Sequence, residues 1–193
     1  MPGLDTASAN RVRVGAWWKK YVDVQWPYRR HLQKLHPGTV LDVGCGMGRN
    51  LFHCNGNGIG IDIDEESLAS CRANGLDVYT PSEFDAKIDR ERKFDTLLFS
   101  HVLEHMTGTE AQELVTRYVP RLKSGGRAVF ITPQEAGYRF NPTHIEFVDC
   151  ERLATIARAA GLTVTDQYSF PFARPFGKFF RYNEFVVLAR KSA

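Results

Sequence analysis

No stretch of this sequence approaches the roughly 20 consecutive apolar residues that a membrane-crossing helix requires. Its N-terminus also lacks the basic-then-apolar order of a secretory signal. From these absences a cytoplasmic protein with no membrane span is expected. Cysteine is scarce: Cys45, Cys54, Cys71 and Cys150 are the whole supply, with no C-x-x-C spacing, which speaks against a zinc cage or a disulfide framework. Internal repeats and low-complexity tracts are missing as well. Neither charge sign dominates, since 25 Lys and Arg meet 22 Asp and Glu for a net +3, so nothing demands a polyanionic partner. What is present is 43% hydrophobic and 24% charged residues over 193 positions. That composition excludes disorder, collagen and coiled coil, and the length suits one globular domain.

The modest charge is uneven. Residues 1–38 carry seven basic side chains against Asp5 and Asp23, giving +5 and leaving −2 for the remainder. A solvated helix face explains this, and so does an arm for an anionic partner. Apolar residues Trp17, Tyr21, Val24, Tyr28, Leu32 and Leu35 recur at helical steps. Pro27 divides them into two short helices and belongs in the first turn of the second. All three tryptophans (Trp17, Trp18, Trp26) fall here, so residues 1–37 read as a helical cap or lid and residues 38–193 as the main domain.

Beyond His36-Pro37-Gly38, strands alternate with helices. Strands are predicted over Thr39–Val43, Gly58–Ile63, Asp77–Thr80, Asp95–Ser100 and Arg127–Thr132. Helices are predicted near 48–54, 65–74, 109–122 and 149–160, with Gly161 as a C-cap. Two last strands, Leu162–Ser169 and Glu184–Arg190, follow with no helix between them. The pattern predicts an α/β fold: a doubly wound, Rossmann-like seven-stranded sheet, mostly parallel with an antiparallel last strand and helices on both faces.

The run Val40-Leu41-Asp42-Val43-Gly44-Cys45-Gly46-Met47-Gly48 takes a buried strand into a glycine turn that opens a helix. Glycines let the backbone bend sharply and let a ligand approach. Asp62 ends the second strand, where a carboxylate can accept from both hydroxyls of a ribose. A dinucleotide loop reads G-x-G-x-x-G, whereas here that last position is Arg49. A loop preceded by Asp42 suits a ligand with a positive amino group better than a pyrophosphate.

These motifs resemble the class I S-adenosylmethionine-dependent methyltransferases over roughly residues 38–190. Val40–Gly48 is similar to their first motif and Gly60–Ile63 to the second. Phe94–His105 is similar to the segment around the fourth strand, and Leu122–Arg127 to the L-k-p-G-G turn into the fifth. The resemblance implies S-adenosylmethionine as cofactor, with Asp42, Gly44, Cys45, Gly46, Gly48, Asp62, Ile63 and Ser100 around it. It also implies Ser82 and Glu83 facing the adenine, although Thr80-Pro81 stand where the family has an acid.

For the methyl acceptor, the [N/D]-P-P-[Y/F] motif of nucleic-acid amine methylases is missing after the fourth strand, so a nucleic-acid partner is not expected. A hydroxyl acceptor, on a small molecule or saccharide, needs a general base or a metal. His144, in the loop after the fifth strand, is the first candidate base, followed by His105 and Glu104. His101, Glu104 and His105 resemble the E-x-x-E-H of ubiquinone-biosynthesis O-methyltransferases, with His101 for the first Glu. That resemblance implies a divalent cation such as Mg2+, and a helix there would put both imidazoles on one face. The aromatic and basic segment Phe170–Tyr182 suits an acceptor wall, a homodimer contact or an oligonucleotide surface. The alternatives are an RNA or protein methylase using the basic arm, or a cofactor-binding protein without catalysis.

Overall fold

The computed structural model describes residues 25–192. The helix expected around Trp17, with Trp17, Trp18, Tyr21 and Val24, lies outside the described residues. The second helix of that pair is α1 (Trp26–Lys34), with Pro27 in its first turn as the fixed proline φ favours. Then come β1 (Val40–Val43), α2 (Arg49–His53), β2 (Gly58–Ile61), α3 (Glu65–Ala73), β3 (Val78–Tyr79), α4 (Pro81–Lys87) and β4 (Phe94–Ser100). The second half holds α5 (Gly108–Tyr118), β5 (Leu122–Pro133), α6 (Glu135–Phe140), α7 (Cys150–Ala159), β6 (Leu162–Phe170) and β7 (Glu184–Lys191).

Seven strands form one sheet in the order β3-β2-β1-β4-β5-β7-β6. All neighbours are parallel except where β7 inserts antiparallel between β5 and β6. Side chains alternate along each strand, so the sheet has two apolar faces. Leu41, Val43, Leu97, Phe99 and Phe130 meet α4, α5 and α7 on one. Val40, Leu98, Val129 and Val186 meet Leu32 of α1 on the other. Burial on both faces explains why β1 and β4 are apolar almost without interruption.

Side-chain caps fix where the helices start. Asp64 accepts from the backbone of Glu66 and Ser67 to open α3. Thr80 with Glu83 and Thr107 with Glu110 form capping boxes for α4 and α5. Gly161, at φ +79°, follows α7 as expected. Three expectations need correction. Helices α4 and α6 are present where none was read, each being too short for its apolar positions to show a period. Between β6 and β7 the chain makes a 3-10 turn over Arg174–Lys178, a position taken for plain loop. The expected helix 109–122 ends at Tyr118, and Pro120 in the following 3-10 turn prevents its continuation.

Candidate active site

The strand order reverses between β1 and β4, and the loops at their carboxyl ends part to leave a crevice. After β1 the backbone N–H groups of Gly44 and Cys45 donate to the Ile61 carbonyl (2.8 and 3.0 Å). Gly46 N–H donates to the Asp62 carboxylate at 2.7 Å. The other Asp62 oxygen accepts from the Asp64 N–H at 3.0 Å, so the carboxylate is fixed at the loop's edge. Gly44 sits at φ +79°, and a Cβ there would lie 2.6 Å from a Val102 methyl. Gly46, at φ +49°, would meet nothing within 4 Å: its exposed side is open to a ligand. A hollow of about 290 Å³ results, lined by Gly44–Met47, Arg49, Asn50, Ser100 and His101.

Asp42 lies behind this loop, fully buried, and neither carboxylate oxygen has a hydrogen-bond partner. Burial pushes its carboxyl up from an ordinary 3.8 to about 7, with nearby Asn50 and Arg49 acting against the rise. A buried, unpaired acid next to an open cradle favours a ligand that brings positive charge. Ile63, beside Asp62, is 85% exposed despite its apolar side chain. Ser82 and Glu83 stand at the start of α4. The Glu83 carboxylate accepts from Thr80 N–H and pairs with Arg72 and Lys87, whose positive charges together with these bonds hold it at about 2. Its oxygens are therefore already engaged, by Thr80 at the start of α4, Lys87 at its end and Arg72 of α3.

A second hollow of about 360 Å³ adjoins the first and shares Arg49 and His101 with it. Glu104, His105 and His144 converge there, with ligand atoms all within 4.8 Å of one another. His144 Nδ1 lies 2.9 Å from the Tyr138 carbonyl oxygen. A carbonyl only accepts, so Nδ1 carries the hydrogen and a neutral ring keeps its lone pair on Nε2. His105 repeats the pattern, with Nδ1 3.2 Å from the Thr143 carbonyl. The two rings meet edge to face at 4.9 Å, and Tyr138 stacks on His144. Glu104 is fully buried and its Oε2 has no partner, while its Oε1 lies 3.9 Å from His144 Nε2.

His101 is placed differently from the expectation. No helix carries it on one face with His105, because the backbone turns at His101 with φ +57° and the 3-10 turn begins only at Leu103. A non-glycine residue in this region is strained, and such strain clusters at functional sites. The His101 ring instead bridges two carboxylates, Glu104 Oε1 at 3.1 Å and Glu184 Oε1 at 2.8 Å. Burial opposes its charge, but these two acids outweigh that and raise it to about 10. An imidazolium with both N–H groups engaged offers no lone pair. His144 thus takes the third place in the trio that the sequence assigned to His101.

Sequence reasoning missed Glu184, Arg49 and Tyr138 as site residues, whereas Tyr28 belongs to the segment read as a cap or lid. A lone acid opening the otherwise apolar run Phe185–Ala189 was a usable signal for Glu184. Tyr28 of α1 lines the second hollow together with Phe140, Arg181 and Tyr182, so the end of the aromatic-basic segment forms part of its wall. Phe172, Phe176 and Phe179 of the same segment face outward, 49%, 55% and 87% exposed. Among the described residues no helix is long and apolar enough to cross a membrane.

Comparison with known proteins places the crevice in a family context. Residues 18–167 match the family described as "Methyltransferase domain". The ubiquinone biosynthesis O-methyltransferase of Hydrogenovibrio crunogenus is 26% identical over 74% of this chain and 69% of its own. The tRNA U34 carboxymethyltransferase of Pseudoalteromonas translucida is 25% identical over 65% of this chain, but only 41% of its own length takes part. Among solved structures, the Burkholderia thailandensis 1,6-didemethyltoxoflavin-N1-methyltransferase with bound S-adenosylhomocysteine has a TM-score of 0.62 at 23% identity. It covers 100% of this chain and 93% of its own.

Proposed function

Starting from a chain that belongs to the class I S-adenosylmethionine-dependent methyltransferases, we propose that it methylates a hydroxyl of a small molecule or saccharide, with His144 as the general base. The carrying observation is the tautomer of His144: its Nδ1–H is held by the Tyr138 carbonyl, so Nε2 is the basic atom in the acceptor hollow.

The residues fit the cofactor. Asp42 supplies the buried negative charge that an ammonium group would relieve, and Asp62 presents carboxylate oxygens at the loop edge for ribose hydroxyls. Gly44 and Gly46 bring backbone to the hollow, while Cys45 and Ser100 flank the methionine portion. Gly48, at φ +72°, does not line it, and a Cβ there would meet Leu76 and Cys71 behind the loop. Exposed Ile63 offers an apolar surface to the adenine. Of the two residues first given to the adenine, Ser82 stays in the proposal as a rim hydroxyl and Glu83 leaves it. When bound, the cofactor supplies a methyl group on a positive sulfur, transferred by in-line displacement.

The protein's own part is positioning, proton removal and exclusion of water. Tyr28, Phe140 and Tyr182 line the acceptor hollow with flat apolar area. His144 takes the hydroxyl proton, and Glu104, next to it and already bridged to Glu184 through His101, steadies the imidazolium that forms. We include α1 in the wall of the acceptor hollow, because Tyr28 and the preceding Gln25 line it.

The trio Glu104, His105 and His144 also fits a divalent cation. Both histidines have Nδ1 on a carbonyl, as imidazole ligands commonly do, and Glu104 Oε2 is unpartnered. Such an ion would acidify the acceptor hydroxyl, and His144 would then be its ligand. Labelled-methyl transfer to phenolic and saccharide acceptors tests the proposal. Turnover that survives chelator and collapses in His144→Ala supports the base, whereas loss in chelator with recovery on added metal supports the ion. Unchanged turnover in His144→Ala removes both roles, and transfer confined to RNA with steep salt dependence removes the hydroxyl acceptor.

A further inference from the structure

At the opposite end of the sheet, where β1, β4 and β5 begin and β7 ends, lies another hollow of about 290 Å³. His36, Lys123, Ser124, Arg127 and Arg190 are among its lining residues. Arg127 and Arg190 occupy directly opposed positions of the antiparallel β5–β7 ladder. Like charges in such pairs are destabilising, and Arg127 is half-buried as well. Burial and the adjacent Arg190 both act to lower the Arg127 guanidinium from its ordinary value.

Among the described residues, neither arginine has a carboxylate within ion-pair reach. The one acid lining the hollow, Asp95, is already engaged. Its Oδ2 accepts from Thr39 N–H and Oγ1 at 2.9 and 2.6 Å, and its Oδ1 pairs with Lys123 at 2.7 Å. Each guanidinium is anchored by one nitrogen to a backbone carbonyl, Arg127 to Leu35 and Arg190 to Gly125. Anchoring fixes both forks while leaving further N–H donors on each.

We propose that this hollow is an anion site that takes a phosphate group between Arg127 and Arg190, with Lys123 and the Ser124 hydroxyl at its rim. Two guanidinium forks on facing strands suit a tetrahedral dianion, which accepts from both sides and cancels their repulsion. The site is at the far end of the strands from the glycine loop, so its occupancy acts on stability independently of methyl transfer. Free orthophosphate and a phosphate monoester share this chemistry.

Thermal unfolding at matched ionic strength, with orthophosphate, glycerol phosphate or potassium chloride, tests the proposal on the full chain. Phosphate is expected to raise Tm saturably where chloride does not, and Arg190→Gln is expected to abolish the rise. Arg190→Glu, which supplies Arg127 with a carboxylate across the ladder, is expected to have a higher Tm without phosphate and no response to it. A response at lower concentration for glycerol phosphate assigns a monoester, and the reverse order assigns the free ion. Equal rises with chloride, or a parental response in Arg190→Gln, overturn the proposal.

Discussion

The two hollows that share Arg49 and His101 are built on different plans. The glycine-loop side comes from one short local stretch, residues 42–50, closed by Asp62 and Ser100 from the adjacent strands. The acceptor side draws on α1, the turn after β4, the β5–α7 connection and the start of β7, segments far apart in the chain. One side depends on backbone shape and the other on side chains brought together by the fold. A fault in the loop should therefore act on cofactor affinity, and a fault in the acceptor side on turnover.

The largest effect expected is for His144→Ala, about 10²- to 10⁴-fold in kcat, with S-adenosylhomocysteine affinity unchanged by calorimetry. A matching loss of affinity would show that the two sides are one unit. Gly44→Ala comes next. Its φ of +79° and the Val102 methyl 2.6 Å from the added carbon strain the loop, at a cost of about 1–3 kcal/mol. Cofactor affinity should drop roughly 10- to 100-fold, and parental affinity would break the assignment of this loop.

Asp42→Asn sharpens the comparison through pH. The folded value of about 7 lies above the ordinary 3.8, so within that window the folded protein holds a proton that the unfolded chain has lost. Unliganded stability therefore falls as pH rises through the window and levels off above it. The Asn variant should lack that fall and, at about pH 8, unfold at a higher temperature than the parent. A cationic ligand favours the ionised acid, so parental affinity should weaken below pH ~7 while the weaker affinity of Asn stays flat. Parallel pH curves for the two proteins would contradict the role given to Asp42. Smallest is Thr107→Ala, which opens the α5 capping box and should cost about 1 kcal/mol of stability, with neither affinity nor turnover changed.

The same contrast explains what was legible in the sequence. The β1 loop and Asp62 could be read because glycine spacing and strand ends are local signals. The alternating strands were legible because buried parallel strands are continuous apolar runs. His144 and Glu104 stood out as chemistry-bearing residues, but their meeting depends on the β5–α7 loop folding back: Ile145 N–H donates to the Glu104 carbonyl at 2.8 Å. The misreading of His101 had the same origin. Helical spacing was assumed across a residue whose backbone is left-handed, and its partner Glu184 lies 83 positions away. Helix α4 escaped because its start signal is the Thr80–Glu83 capping box more than apolar spacing, and α6 because it is only 6 residues long and has no side-chain cap.

The most direct measurement is a calorimetric titration of S-adenosylhomocysteine into the parent, Asp62→Ala and His144→Ala. Binding at one site per chain that is lost or sharply weakened in Asp62→Ala and retained in His144→Ala is the result predicted. Equal affinity in all three, or loss in His144→Ala alone, would contradict a cofactor seat built by the β1 loop and the end of β2.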